Sequence, residues 1–524
     1  MLELQLLLTT HGLAPRLRCA SSLAGALSVA CDMEVYPNSI TGHDRVLYFL
    51  ARSRYDRHLG LAYDALAPPP AAAAFEGSPE TCEVQGVKVT FKLCPRSAAN
   101  AAALRERLPF LVPQCLGLAA SFGLGDRLGL ATPGHVRAIA GSGLRPVLAQ
   151  QSIREMTRTG RSPQQVLDDA MWGALQEGFR DGFGADADHL KTAEDVDACA
   201  AAGFTLFTID PGEHVDDAAD AAAPAQLAEK FHALPWPELE ASPADCLAAY
   251  AGRSVGLGDG LTLRPSEADV LRAAAKYGRA IAHTARLYRH LAERKGREPF
   301  ELEMSVDETA SPTSPFEHWF VATELRRLGV SWVSLAPRFV GRFEKGVDYI
   351  GDLAAFEAAF AQHAAIARAL APYKLSIHSG SDKFALYPIA ARLAGRLIHV
   401  KTAGTSYLEA LRTIAHAAPE LFRELYDFAC EHYEADRASY HVSADLGRVP
   451  RIAHHGDSEL PALLDHFDAR EVLHVTYGSV LNARRPDGAW RFRERLFDVL
   501  RQNEELYSRI IQRHFARHME PFRG

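Results

Sequence analysis

At 524 residues the chain has room for one large catalytic domain with additions, or for several smaller units. It is 48% hydrophobic and 23% charged, as a water-soluble globular protein is, and its net charge of −8, with no basic run or aromatic ladder, argues against a nucleic-acid partner. Cys19, Cys31, Cys82, Cys94, Cys115, Cys199, Cys246 and Cys430 are scattered without a Cys-x-x-Cys pair, which indicates neither a zinc knuckle nor a disulfide framework and predicts reduced thiols in a cytoplasm.

In chain order, the apolar Leu6–Leu8 follows Glu3 and Gln5 with no basic segment before it. That makes a poor signal peptide and is far too short to span a bilayer, so a soluble, cytoplasmic protein with no membrane partner is expected. Residues 1–110 read as an N-terminal accessory α/β region, in which Val84–Leu93 has the alternation of a hairpin about Gly86 and Pro68–Pro70 opens an exposed loop. From residue 111 short apolar runs alternate with amphipathic stretches. Strands are predicted at Cys115–Ser121, Pro146–Gln150, Asp186–Leu190, Thr205–Ile209, Phe300–Val306, Trp332–Leu335, Lys374–His378 and Leu397–Lys401. Helices are predicted between them at Ser162–Gly178, Ala193–Ala202, Ser266–Arg294, Phe316–Leu328, Leu353–Leu370 and Phe384–Ala394. Strand then helix, repeated eight times, predicts an α/β fold with a parallel sheet and right-handed crossovers, closed as a (β/α)8 TIM-type barrel over residues 111–405; an open doubly wound sheet gives the same local pattern. Gly123-Leu124-Gly125-Asp126 is the nearest match to a dinucleotide loop and lacks the spacing. Residues 213–265, rich in Ala and Asp, read as an insertion, and 406–524 as a mainly helical extension packed on the barrel. Within the extension, Glu471–Tyr477 reads as an extra strand competing for the eighth place, and Arg491–His518 as one terminal helix.

The carboxyl ends of barrel strands face the active site. Three of the predicted ends each deliver an imidazole with a lysine close behind: His189 with Lys191, His378 with Lys383, and His399 with Lys401. Neutral imidazole is the commonest ligand for zinc and its neighbours, and three would leave a divalent cation its charge and open positions for polarising a carbonyl or alkoxide. The third strand also brings Asp188, and the fifth ends Val306-Asp307-Glu308; Asp188 and Glu308 are the acid–base candidates. Lys191, Lys383, Lys401 and Arg338, with Asp382 beside them, are the candidates for binding an anionic substrate, the planar guanidinium being the better fork for a carboxylate. No Gly-x-Ser-x-Gly elbow, Walker loop or His-Glu-x-x-His is present.

Several stretches resemble the tagaturonate epimerase family of bacterial hexuronate catabolism. They are Gly123–Arg127 with Thr132–His135, Asp188–Thr192, Val306–Glu308, Ala336–Tyr349, Leu375–Lys383 and His399–Tyr407, the last three being the most specific; together they span about residues 110 to 500. The resemblance implies a (β/α)8 barrel that interconverts D-tagaturonate and D-fructuronate, a small-molecule keto-uronate pair, with a divalent metal; zinc, nickel, manganese and iron are not distinguished. It carries the family's metal and acid–base residues onto Asp188, His189, Glu308 and His378. The third ligand is His399 or another strand-end residue. The two sugars differ at carbon 4, two bonds from the ketone, where the hydrogen is not acidic. Cleavage between carbons 3 and 4, rotation of the aldehyde and re-addition would invert it; transient oxidation would need a hydride acceptor for which no loop is present. A metal-dependent sugar-acid aldolase or ketose isomerase on the same barrel, and a sugar-acid binding protein, are the alternatives. The oligomeric state is open, a homo-oligomer included.

Overall fold

The computed structural model describes residues 2–17, 20–54 and 56–523. At its centre eight parallel strands close into a barrel: β1 (Ser121–Leu124), β2 (Arg145–Ser152), β3 (Gly184–Leu190), β4 (Leu206–Ile209), β5 (Glu301–Ser305), β6 (Ser334–Ala336), β7 (Lys374–Ile377) and β8 (Ile398–Thr402). Pairing of β8 with β1, Lys401 opposite Gly123, closes the ring and excludes the open sheet. Seven of the eight strands fall largely within their predicted windows. The first meets its window only at Ser121: Cys115–Ser121 is mostly loop, turning at Gly117 with φ 59°, and the strand starts where that window ends. Its Gly123 looks like a breaker in sequence; a Cβ there would lie 2.2 Å from Oε1 of Gln150 on the neighbouring strand, so that side chain would have to move aside for any larger residue.

Several of the helices between strands start where serine or threonine caps them. Ser162, Thr192, Ser266 and Ser314 each accept the backbone N–H three residues on, opening Pro163–Gln176, Ala193–Ala202, Glu267–Lys295 and Pro315–Arg327. The segment between β4 and Glu267–Lys295 holds two short helices, Pro224–His232 and Pro243–Tyr250, and a small hairpin, Val255–Gly256 with Thr262–Leu263.

Ahead of the barrel lies an antiparallel sheet with both faces covered. Tyr48, Leu50, Leu59 and Leu61 join the barrel-side core, while Leu47, Phe49, Ala51 and Ala62 pack under the helices Leu2–Thr9 and Ala20–Cys31. That double burial explains why Val46–Ala51 is apolar without alternation. The predicted hairpin pairs Ser78–Val84 with Val87–Cys94 about Gln85 and Gly86, at φ 51° and 78°, the two left-handed residues of a tight primed turn.

After the barrel come Thr405–Ala417, Pro419–Asp436, Phe467–Val475, Arg493–Gln502 and Glu504–Met519. Two expectations fail here. Glu471–Tyr477 lies mostly in a helix, because it is buried on every side: Arg470, Glu471 and His474 find polar partners inside the protein, so the apolar alternation carries no strand signal. The terminal helix breaks at Asn503, and its second half packs so closely on Thr132–Ile139 that a Cβ on Gly134 would sit 2.6 Å from Ile511. Among the described residues no helix is long and apolar enough to cross a membrane. The seven described cysteines are unpaired, and Cys19 lies outside the described residues.

Candidate active site

Barrel interiors are filled mainly by branched apolar residues; this one carries charge. Inward positions alternate along a strand, so His399 and Lys401 of β8 share the inner face, with His399 roughly 6–7 Å nearer the amino end. His399 sits opposite Ser121 and Ser376, its Nδ1 2.9 Å from Ser121 Oγ and its Nε2 without a hydrogen-bond partner among the described residues. Burial pushes its pKa down to about 3. Lys401, one layer up, donates to Asp188 (2.8 Å) and Thr208 (2.6 Å) and lies 2.7 Å from Asp186 and 2.9 Å from Glu303. The depth of His399 keeps it apart from the other two imidazoles, and Lys401 is spent on carboxylates rather than held for substrate.

His189 and His378 meet above Lys401, their ring centroids 5.0 Å apart. A strand would send Asp188 and His189 to opposite faces, but a bulge in β3 against β4 places His189 at φ 54° and turns both toward the mouth. His189 Nδ1 lies 2.8 Å from Asp188 Oδ1, and His378 Nε2 lies 2.6 Å from Glu303 Oε1. Each ring thus gives one N–H to a carboxylate and presents its other nitrogen to Asp307 Oδ1, 3.7 Å from His189 Nε2 and 3.2 Å from His378 Nδ1. This is the pattern by which outer carboxylates fix the tautomer of metal-binding imidazoles. Asp188, His189 and His378 can also each bring a ligand atom within 4.8 Å of the other two. Asp188 Oδ1, however, already accepts from both His189 and Lys401.

The electrostatics favour a cation. Burial alone would make His189 neutral, but Asp188 and Asp307 outweigh it and hold the imidazole well above its ordinary range. His378 is raised in the same way, Asp307 and Glu303 overcoming burial and Lys401. Burial would raise Asp188 and Asp307 too, yet the two imidazoles, joined by Lys401 at Asp188, hold both carboxyls well below their usual range. Surroundings that draw protons onto two adjacent imidazoles suit a divalent ion in place of those protons.

A cavity of about 230 Å³ opens beside His378, lined among others by Asp307, Glu308, Arg338, Arg154 and Tyr440. Glu308 stands exposed in it. Arg338 reaches only the Asp307 carbonyl, at 3.5 Å, and its Nε has no partner among the described residues. The other expected anion-binding residues lie elsewhere. Lys191 is on the outer rim, 3.1 Å from Glu213 and 3.8 Å from Asp210. Left-handed turns at Ser379 (φ 47°) and Asp382 (φ 60°) carry the chain away from the cavity. Lys383 is therefore buried and donates to the carbonyls of Glu344 (2.7 Å), Val347 (2.5 Å) and Ser381 (3.1 Å). Asp382 pairs with Arg470 at 2.9 Å and His514 at 2.5 Å. His518, which with Asp382 and His514 forms a second compact group, accepts the Asp382 N–H on Nε2 at 3.0 Å and reaches the His514 carbonyl from Nδ1 at 3.1 Å. With both its nitrogens used, the group docks the terminal helix on the loop after β7 and leaves no ligand set for a metal.

Sequence reasoning passed over Asp186 and Glu303, and Asp307 it read only as a strand-end carboxylate. The first two had a signal: Gly184–Leu190 and Glu301–Ser305 place acids two apart inside strands that must be buried. Arg154, Lys345 and Tyr440 had none, since folding alone brings them together.

Comparison with known proteins agrees with this architecture. A family model described as tagaturonate epimerase matches residues 36–522. A tagaturonate/fructuronate epimerase of Thermotoga maritima is 45% identical over 493 residues, 94% of this chain and 97% of that one. Crystal structures of the fructuronate-tagaturonate epimerase of Cohnella laeviribosi, native and with one glycerol, are 38% identical, with a TM-score of 0.88 over 96% of this chain and 99% of theirs. The chain belongs to the tagaturonate epimerase family.

Proposed function

We propose that this member of the tagaturonate epimerase family interconverts D-tagaturonate and D-fructuronate by inverting carbon 4, with a divalent cation at His189 and His378. The observation that carries the reading is the convergence of His189 Nε2, His378 Nδ1 and Asp307 Oδ1 beside a cavity that also holds Glu308 and Arg338. His189, His378 and Asp307 would hold the cation, with Asp188 and Glu303 orienting the rings; in this reading Asp307 rather than His399 is the third ligand. When bound, the cation polarises a carbonyl or alkoxide oxygen. Two imidazoles and a carboxylate suit zinc, nickel, manganese or iron.

The protein's own groups supply the rest. Arg338 takes the substrate carboxylate as a planar fork. Glu308 takes the proton of the carbon 4 hydroxyl as the bond between carbons 3 and 4 opens, its electron pair passing to the ketone oxygen at carbon 2 as an enolate. With the carboxylate held, the aldehyde turns, carbon 3 re-adds to its other face as the ketone re-forms, and Glu308 returns the proton to the new carbon 4 oxygen, so that the centre is inverted. Asp188, expected as a second acid–base group, acts in this reading through His189.

The test is to strip the purified protein of metal, resupply single metals, and follow tagaturonate formed from fructuronate. Turnover that returns with bound metal supports the reading; no interconversion with any of the four ions refutes it. Two fragments or a shifted carbonyl as the product would assign an aldolase or an isomerase.

A further inference from the structure

The cavity beside His378 has four basic side chains on its wall, and two of them are engaged. Lys345 donates to Ser379 Oγ at 2.5 Å, and Arg342 lies 3.4 Å from Glu344. Arg338 has an unspent Nε. Arg154 is freer still: it stands in the first turn of the helix Ile153–Thr159, directly after β2, and has no hydrogen bond or ion pair with another described residue. Its guanidinium carbon lies 5.1 Å from the ring centre of Tyr440, which comes from the far end of the chain. Arg158, from the same helix, lies 5.1 Å from that ring and donates to the Tyr440 hydroxyl. Tyr440 is thereby fixed from one side and offers its face to Arg154. A cation shelved on an aromatic face, with its donors turned to a cavity, is ready for an anion.

We propose that Arg154, supported by Tyr440, is a specificity-determining residue that closes on the substrate carboxylate from the side opposite the cavity wall formed by Arg338. The inference rests on the keto-uronate reading above and deepens it. Recognition is then shared between the loop after β6 and the helix after β2, and a ketose ending in a neutral hydroxymethyl group would leave two guanidinium groups unpaired.

The experiment compares Arg154→Gln, Arg154→Lys and Tyr440→Leu in the metal-loaded protein, using D-fructuronate and its neutral analogue D-fructose, with calorimetric binding of both measured beside turnover. Arg154→Gln should raise the KM and the Kd for fructuronate roughly 10- to 100-fold, the range for a lost hydrogen bond to a charged group, with a much smaller change for fructose. Arg154→Lys should recover part of the loss, and Tyr440→Leu should move in the same direction by less. An unchanged fructuronate KM and Kd, or equal losses on both sugars, would overturn the proposal while leaving the epimerase reading intact. If the parent protein binds fructuronate but never converts it, the epimerase reading fails, and the Kd of Arg154→Gln still decides the role of Arg154.

Discussion

Asp188→Asn separates two jobs that a carboxylate beside a metal-binding imidazole can do. In the structure Asp188 Oδ1 accepts from His189 Nδ1 and from Lys401 Nζ, both at 2.8 Å. The amide keeps the shape and one acceptor but loses the charge. Lys401 retains Asp186 at 2.7 Å and Glu303 at 2.9 Å, so the barrel interior stays paired and the fold should survive. His189 loses its charged partner and with it the fixed tautomer, and loss of such a partner costs roughly 10- to 100-fold in metal affinity or activity. At about 1.4 kcal/mol per factor of ten, that is about 1.4–2.8 kcal/mol, in line with one charge-assisted hydrogen bond. The assay titrates metal into stripped protein against a chromophoric chelator and then measures turnover at saturating metal. The expected result is weakened metal binding with most turnover restored at saturation. Unchanged metal affinity together with a hundredfold or larger fall in kcat would refute the argument and make Asp188 the acid–base group.

Glu308→Gln should do the reverse: full metal content, with kcat down by roughly a hundredfold or more. His399→Ala should keep its bound metal, measured by elemental analysis after dialysis, because His399 lies a layer below the other rings. Lys383→Met leaves three carbonyls without their donor, so we expect a loss of about 2–4 kcal/mol in denaturant unfolding, with no change in the preference for fructuronate over fructose. Stability should also vary with pH through Glu471, pushed up to about 8 by burial and by Glu344 beside it. Its folded pKa lies above the unfolded value of about 4.3, so the stabilisation is complete below that value and is lost as pH rises through about 8. A Tm series in Glu471→Gln should be flatter over that interval; an equally steep series would exclude Glu471 as the cause.

The barrel was legible because each unit repeats the same physics: a short apolar run that must be buried on both faces, then a capped amphipathic helix. Ser162, Thr192, Ser266 and Ser314 mark helix starts almost to the residue. From the second strand on, strand ends were legible to within a residue or two, enough to bring out His189, His378 and Glu308. What could not be read was the direction a loop takes after its strand. Lys383 follows His378 by five positions, yet two left-handed residues in between send it into the protein interior. Depth was equally hidden: His399 resembles the other two strand-end histidines in sequence but lies near the start of its strand, opposite Ser121. Tyr440 meets Arg154 across nearly 300 residues of chain, a distance no local pattern spans.

Lys401 ties the charge balance of the interior to closure of the ring. Asp186, Asp188 and Glu303 stand on β3 and β5, and the ammonium they share stands on β8, about a hundred residues after Glu303. One positive charge offsets only part of three; His189 beside Asp188 and His378 beside Glu303 supply the rest. Without the last strand, Asp186 would be left in a dry interior without its paired cation, at several kcal/mol. The strand that completes the ring also completes the pairing of its charges.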